Sequence, residues 1–287
     1  MKERDEAGPY GRFAPGLPAT SDGQMLFLLH LTHKMRAPED GGGRIGIVMN
    51  GSPLFNGAAE SGPSNIRKWL LENDLVDAIV ALPTNMFFNT GIATYIWILD
   101  NIKHSDRKGL VQLIDGSSYW TKMRKNLGAK NRELRETDRA RVVKLYADFA
   151  DADPNCSKVL RNDEFGYWTI TVERPLLDMN GNRVVDRKGK SKPDSKKRDT
   201  ENVPFTYGGS TAGTAGMPEV IQAYFDAEVR PHVPDAWIDW TKTKTGYEIP
   251  FTRHFYKYVP PRPLAEIDAD LEKQVAKILD LLRLVEQ

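Results

Sequence analysis

The sequence holds one cysteine, Cys156, in 287 residues. That excludes an internal disulfide framework and any multi-cysteine metal site, and it fits a reducing compartment. No uninterrupted apolar run approaches the roughly 20 residues that a bilayer span requires. The first 18 residues, MKERDEAGPYGRFAPGLP, contain no apolar core of a signal peptide. Net charge is nearly absent too, with 40 basic against 39 acidic side chains. Bulk charge therefore does not announce a nucleic-acid binder, and any grip on a polyanion has to come from local clusters. Histidine is scarce, and His30 and His33 stand three apart with no third ligand suggested nearby; no metal site is expected. These absences leave a cytoplasmic, non-membrane protein whose 40% hydrophobic content can build a sizeable core.

Two apolar runs dominate what is present. LVDAIVALP and IATYIWILDN, within residues 75–101, are rich in β-branched and aromatic residues and read as two strands of a buried sheet. Upstream, helical spacing predicts a mostly buried helix over 23–35 with Ser21 or Asp22 as its cap. RIGIVMN then reads as a central parallel strand. A helix follows over 64–73, capped by Ser64, and LVQLID after the pair is a further strand. Helices alternating with continuous apolar strands argue for an α/β layer with a parallel sheet and an antiparallel edge. No internal repeat is visible. Beyond it, 119–150 reads as basic and then amphipathic helix, WTITV as a half-exposed strand, and 219–229 as helix. Residues 247–263 read as extended. The stretch 178–216 is poor in apolar residues and reads as a flexible linker or insertion. After Pro263, Leu264, Leu271, Ile278 and Val285 stand seven apart, with Ile267, Gln274 and Leu281 as a second row, a coiled-coil-like seam. The domain reading is thus 1–117, 118–177, 178–216 and 217–287.

Few residues carry chemistry. Gly41–Gly43 precedes a strand rather than following one, so it is a turn and not a phosphate cradle. NGSPLF lies between a strand and a helix but matches neither nucleotide-binding spacing, so a small nucleotide-binding enzyme is a weak reading. Cys156 has no base beside it in the sequence to activate it as a nucleophile. Basic clusters at 122–132, 187–198 and 253–257 have the composition to meet phosphates; in 187–198 composition favours a solvated run, whereas Arg253, His254 and Lys257 interleave with aromatics. Between the two central strands lies PTNMFFNTG. Its Phe87 and Phe88 either pack in the core or stand at the carboxyl rim of the sheet, where α/β folds bind ligands. Enzymes that modify a nucleobase extrude it and stack it on such a face.

The succession SDGQMLFLLHLTHKMR, RIGIVMNGSPLF, NIRKWLLENDLVDAIVALPTNMFFNTGIATYIWIL and LVQLID resembles the second half of the catalytic domain of type I restriction–modification methyltransferase subunits. FGYWTITVERPL, GYEIPFTRHFYKYVPPRPLAEID and the terminal heptads resemble the same family's downstream region. The resemblance implies the C-terminal half of a Rossmann-like sheet followed by a mainly helical tail. It further implies adenine-specific DNA methylation with S-adenosylmethionine, and partnership with DNA, a specificity subunit and a restriction subunit. IVALP and ATYIWIL become the strands of a reverse hairpin. The loop aromatic, Phe88 first and Phe87 second, is implied to stack on the flipped adenine, with Asn89, Thr90 and Gly91 shaping the pocket and Asn50 and Gly51 facing it. Lys122, Arg124, Lys125, Arg253, His254 and Lys257 are the expected DNA contacts.

The family's glycine-rich donor loop and its Asn- or Asp-Pro-Pro-aromatic catalytic motif have no counterpart here. The Pro-Pro pair at Pro260–Pro261 is preceded by Val259 and followed by Arg262. Met1 reads as beginning just after that motif's place, so an N-terminal methylase fragment is an expected partner. The chain alone is expected neither to bind the donor tightly nor to methylate DNA. The competing expectation is a non-catalytic DNA-binding or assembly module that docks a specificity subunit through its heptads.

Overall fold

The computed structural model describes residues 2–211, 213–258 and 260–285, with side chains to residue 283. Expectations resting on Met1, Val259 and the Val285 side chain lie outside the described residues. The chain divides into two units, Met1–His254 and Phe255–Gln287.

The first unit opens with α1 (Lys2–Ala7) and α2 (Gln24–His33). The N-cap of α2 is Gly23 rather than the expected Ser21 or Asp22, although Asp22 Oδ1 accepts from the Gln24 N–H at 3.2 Å and satisfies one orphan donor at the start of the helix. Met25, Leu28 and Leu29 anchor that helix in the core. There follow β1 (Arg44–Asn50), α3 (Ser52–Phe55), α4 (Gly62–Glu72), β2 (Val76–Leu82), β3 (Thr94–Asp100) and β4 (Leu110–Asp115). A hairpin of β5 (Thr121–Leu127) and β6 (Lys130–Glu133) precedes α5 (Glu136–Asp148) and β7 (Ser157–Arg161).

The main sheet runs β1-β3-β2-β4-β7. β2 is buried along its whole length, as its VDAIVAL sequence requires. It pairs antiparallel with β3 and parallel with β4, so the expected antiparallel strand pair is present. α5 lies over this sheet, placing Leu145, Val142 and Tyr146 against Val80 and Ile114. A buried polar network fastens it there. Arg107 Nε donates to Asp77 Oδ1 at 2.7 Å and Nη2 to Gln112 Oε1 at 3.0 Å, while Tyr146 donates to Asp77. Burial, seconded by that bond, pushes the Tyr146 phenol up to about 12.

A second, antiparallel sheet is centred on β8 (Gly166–Glu173), with β9 (Asp199–Pro204) on one side and β10 (Trp237–Ile238) and β11 (Lys244–Tyr247) on the other. α6 (Met217–Tyr224) runs into a π turn at Phe225–Val229, and α7 (Phe251–Phe255) follows β11. Arg67 of α4 ties α3 and the turn after it to β11 of the second sheet. It is fully buried and donates to the carbonyls of Tyr247 (2.6 Å), Pro53 (3.1 Å) and Asn56 (2.9 Å). In the second unit, α8 (Leu264–Val285) exposes Leu264, Leu271, Val275, Ile278 and Leu282, the expected apolar stripe.

Several expectations are corrected. RIGIVMN is not a central parallel strand: β1 is an edge strand bonded antiparallel to β3, and Arg44, Gly46 and Val48 are exposed. Ser61, not Ser64, caps α4; Ser64 is buried and its Oγ accepts from the Tyr247 N–H at 3.0 Å. The start of 119–150 is a hairpin rather than a helix, because Thr121 and Met123 alternate with outward Lys122 and Arg124 and Gly128 takes φ +58° at the turn. Residues 247–263 are not simply extended, since they include the end of β11 and α7.

The 178–216 linker is overturned as well. It contains β9, and residues 176–199 are three successive eight-residue modules, an internal repeat that the sequence reading missed. Asp178, Asp186 and Asp194 occupy equivalent positions, and each carboxylate accepts from the N–H two residues on. The modules close a ring: Leu176 N–H donates to Lys192 O, Lys192 N–H to Val184 O and Val184 N–H to Leu176 O, each at 2.8 Å.

Candidate base-binding rim

Strand register gathers the expected pocket residues at one rim. Asn50 at the end of β1 lies opposite Thr94 at the start of β3, and Thr94 also lies opposite Leu82 at the end of β2. Ala81 lies opposite Asp115 at the end of β4. Because β1, β2 and β4 all run toward this rim, it is the carboxyl edge of the sheet. The loop 83–93 rises from it.

That loop is shaped by backbone rather than by packing. Asn85 and Asn89 both adopt left-handed φ, 58° and 59°, a conformation Asn tolerates better than most residues. Phe87 and Thr90 form a bridge, so Phe88 and Asn89 occupy the corner of a tight turn. Thr90 Oγ1 accepts from the Ile92 N–H, and Gly91 lies against Asn85, where a Cβ would approach Nδ2 to 3.1 Å. Phe88 is 71% exposed and Phe87 37%. The choice between core packing and presentation is therefore settled for Phe88: it is presented.

The β5–β6 hairpin braces the loop, a relation the sequence reading missed. Asn85 Nδ2 donates to Ala129 O at 3.0 Å, and Asn85 O accepts from the Asn131 and Arg132 N–H groups. Arg132 Nη1 donates to Thr84 Oγ1 at 2.9 Å while its guanidinium lies 4.1 Å from the centroid of the Trp120 ring. A Cβ added to Gly128 would lie 3.4 Å from the Phe88 ring. Lys122, Arg124 and Lys125 are exposed on this hairpin, so three expected DNA contacts share an element with the loop's brace. The legible signal was the alternation in TKMRK followed by Gly128.

The remaining expected residues are placed differently. Asn50 is engaged locally, its Oδ1 accepting from Ser52 N–H and its N–H donating to Gln24 Oε1. A Cβ at Gly51 would lie 3.4 Å from the Tyr95 ring. Arg253 is exposed, but His254 is half-buried with its ring 6.4 Å from Phe165. Burial pulls its imidazole below the ordinary value, which favours the neutral form. Both line a cleft of about 370 Å³ with Tyr167 and Glu248, and none of the rim residues lines it. Lys257 is exposed in the second unit. Sequence reasoning also missed Thr94, whose buried hydroxyl at the rim has no partner among the described residues.

The residues present do not form a cradle for a methyl donor. The strand-to-helix turn at the rim, β1 to α3, consists of Asn50, Gly51 and Ser52, with the Asn50 side-chain Oδ1 occupied by Ser52 N–H. No group of three or more His, Cys, Asp or Glu able to hold a metal ion occurs among the described residues, and no described helix is long and apolar enough to cross a membrane.

Comparison with known proteins identifies relatives of the chain. The type I restriction enzyme MjaVIII methylase subunit of Methanocaldococcus jannaschii is 32% identical over 116 residues, covering 40% of this chain and 19% of that one. The MpnII methylase subunit of Mycoplasma pneumoniae is 34% identical over 119 residues, covering 41% and 20%. The chain thus spans about a fifth of the length of these curated relatives. A crystal structure of a type I restriction–modification methyltransferase subunit from Streptococcus thermophilus superposes with TM-score 0.47 at 27% identity, covering 57% of this chain and 32% of that one. The family described as N-6 DNA Methylase matches residues 2–166, more than half the sequence. The chain belongs to the N-6 DNA methylase family.

Proposed function

We propose that this chain supplies the target-base wall of an adenine-specific DNA methyltransferase in a type I restriction–modification system, working in the cytoplasm with S-adenosylmethionine as donor. The observation that carries the reading is Phe88, an exposed aromatic at the corner of a braced turn on the carboxyl rim. An extruded adenine stacks on its ring, and Phe87 and Asn89 border the pocket, with Thr90 and Gly91 setting the turn. Lys122, Arg124 and Lys125, on the hairpin that holds the loop, meet DNA phosphates beside the extruded base. Arg253 and Lys257 are further phosphate contacts; His254, biased toward neutrality, contributes an aromatic surface rather than charge.

The donor and the group that accepts from the adenine amino group belong, in this reading, to a separate methylase segment. Two features support that division: the missing Asn- or Asp-Pro-Pro-aromatic motif, and the open outer edge of β1, which leaves one side of the sheet free to extend. The apolar stripe of α8 fits docking to a specificity subunit, and the restriction subunit joins the complete assembly.

The test is genomic. DNA from a host carrying the gene, lacking it, or carrying Phe88→Ala is sequenced for N6-methyladenine. Loss of one methylated motif on deletion, and its depletion in the Phe88 variant, support the proposal. Identical methylation in all three strains overturns it.

A further inference from the structure

The repeat at 176–199 is a rigid display of positive charge, and nothing in the base-binding rim uses it. Residues 176–198 hold eight basic side chains against three aspartates in a chain whose net charge is +1. All three aspartates accept from backbone N–H groups of their own turns. Asp178 accepts from the N–H groups of Asn180 and Asn182, Asp186 from those of Lys188 and Lys190, and Asp194 from that of Lys196. These bonds hold the Asp178 and Asp186 carboxyls below their ordinary range, so they remain ionised as turn anchors. The lysine and arginine side chains are left outside.

The display is uneven in an informative way. The first module's turn, DMNGN, carries no cation and presents Met179, whereas the second, DRKGK, and third, DSKKR, carry six between them. Arg198 is held by buried Glu173 at 2.7 Å, and Lys197 lies 3.9 Å from Asp194. Arg187, Lys188, Lys190, Lys192 and Lys196 are exposed and form no ion pair among the described residues. Cyclic hydrogen bonds fix the turns that carry them, so their backbone is held without the ordering entropy a disordered basic tail would lose on binding.

We infer that this three-module ring is a second DNA-backbone clamp, gripping duplex phosphates through Arg187, Lys188, Lys190, Lys192 and Lys196. The inference rests on the proposed role of the chain in DNA methylation and adds a contact site to it. Duplex DNA is favoured over an acidic protein because the patch is a dense array of flexible point charges on a narrow ring, with no aromatic anchor between them. Such an array suits phosphates and reads no base edges, so the clamp adds affinity without sequence preference.

The test measures binding of the full chain to a 30-base-pair random duplex against salt, by fluorescence anisotropy. Arg187→Gln, Lys188→Gln, Lys190→Gln and Lys196→Gln are combined in one variant. These side chains make none of the turn hydrogen bonds, so the far-ultraviolet spectrum and melting temperature should match wild type. Each lost phosphate contact removes about 0.9 from the slope of log affinity against log salt. The expected result is a slope shallower by about 3.6 and a loss of at least tenfold in affinity near 100 mM salt. A hairpin variant, Lys122→Gln with Arg124→Gln and Lys125→Gln, separates the two readings. If wild type binds and only the hairpin variant is impaired, the clamp is overturned and the DNA reading stands. If wild type does not bind duplex DNA at all, both fall. Equal affinity for polyglutamate and duplex, lost together in the ring variant, also overturns the assignment to DNA.

Discussion

Truncating Phe88 separates a binding role from a structural one more sharply than any other change at the rim. The side chain is 71% exposed and lies against Gly128, so Phe88→Ala removes little buried surface and should alter stability by no more than about 0.5 kcal/mol. A stacked base is worth about 1–3 kcal/mol to a single-stranded nucleic-acid binder. At tenfold per 1.4 kcal/mol, that is a loss of roughly 5- to 150-fold. The assay is methyl transfer by the complete enzyme to a duplex bearing the motif identified in the genome, together with thermal denaturation of each variant. Phe88→Ala should lower turnover and duplex affinity within that range while the melting temperature holds. Phe88→Trp, which restores a π-face, should recover most of the loss, and Phe88→Leu, which restores only bulk, should not. Phe87→Ala should act more weakly on binding and more on stability, because Phe87 is only 37% exposed. Wild-type turnover in Phe88→Ala, or full rescue by leucine, would refute stacking.

Arg67→Met tests the tie between α3, α4 and β11. Three carbonyls lose their donor, those of Tyr247 and Pro53 buried and that of Asn56 part-buried, at about 2 kcal/mol each. Burial has drawn the guanidinium down to about 10 from 12.5, so removing the charge returns about 3 kcal/mol. The net expectation is destabilisation of about 3 kcal/mol, read as a lower denaturation midpoint; an unchanged midpoint would show that those carbonyls find other partners. For His254 the folded state favours the neutral imidazole, so its contribution is full above the unfolded value near 6.5 and fades as pH falls below it. His254→Phe should therefore flatten the decline in stability between pH 7.5 and 5, and an unaltered slope would remove the assignment.

The central strands of the main sheet were legible because they announce themselves chemically, whereas the edge position of β1 and the strand β7 were not. VDAIVAL and TYIWILD are too apolar and too β-branched to lie anywhere but in a buried sheet, and PTNMFFNTG between them interrupts both with turn residues. The helix after Pro263 was equally plain from its heptads. Charged segments were not legible. TKMRKNL alternates only over its first residues and LLDMNGNRVVDRKGKSKP has no hydrophobic period, so neither outweighs its charge in the sequence; their structure is completed by particular turns, Gly128 in one and the repeated aspartates in the other.

By itself the sequence determined the two buried strands β2 and β3, the aromatic loop between them, and the absence of a donor-binding motif, since each is a matter of which residues are present in which order; their pairing as a hairpin was implied by the family resemblance. Which aromatic faces outward was decided only by tertiary structure. The left-handed Asn89 and the bridge from Phe87 to Thr90 turn Phe88 into solvent, and the hairpin tip at Gly128 and Ala129 holds the loop from 40 residues away in sequence. Burial and strand register are properties of the assembled chain. No local pattern around Phe87 and Phe88 could distinguish two identical side chains.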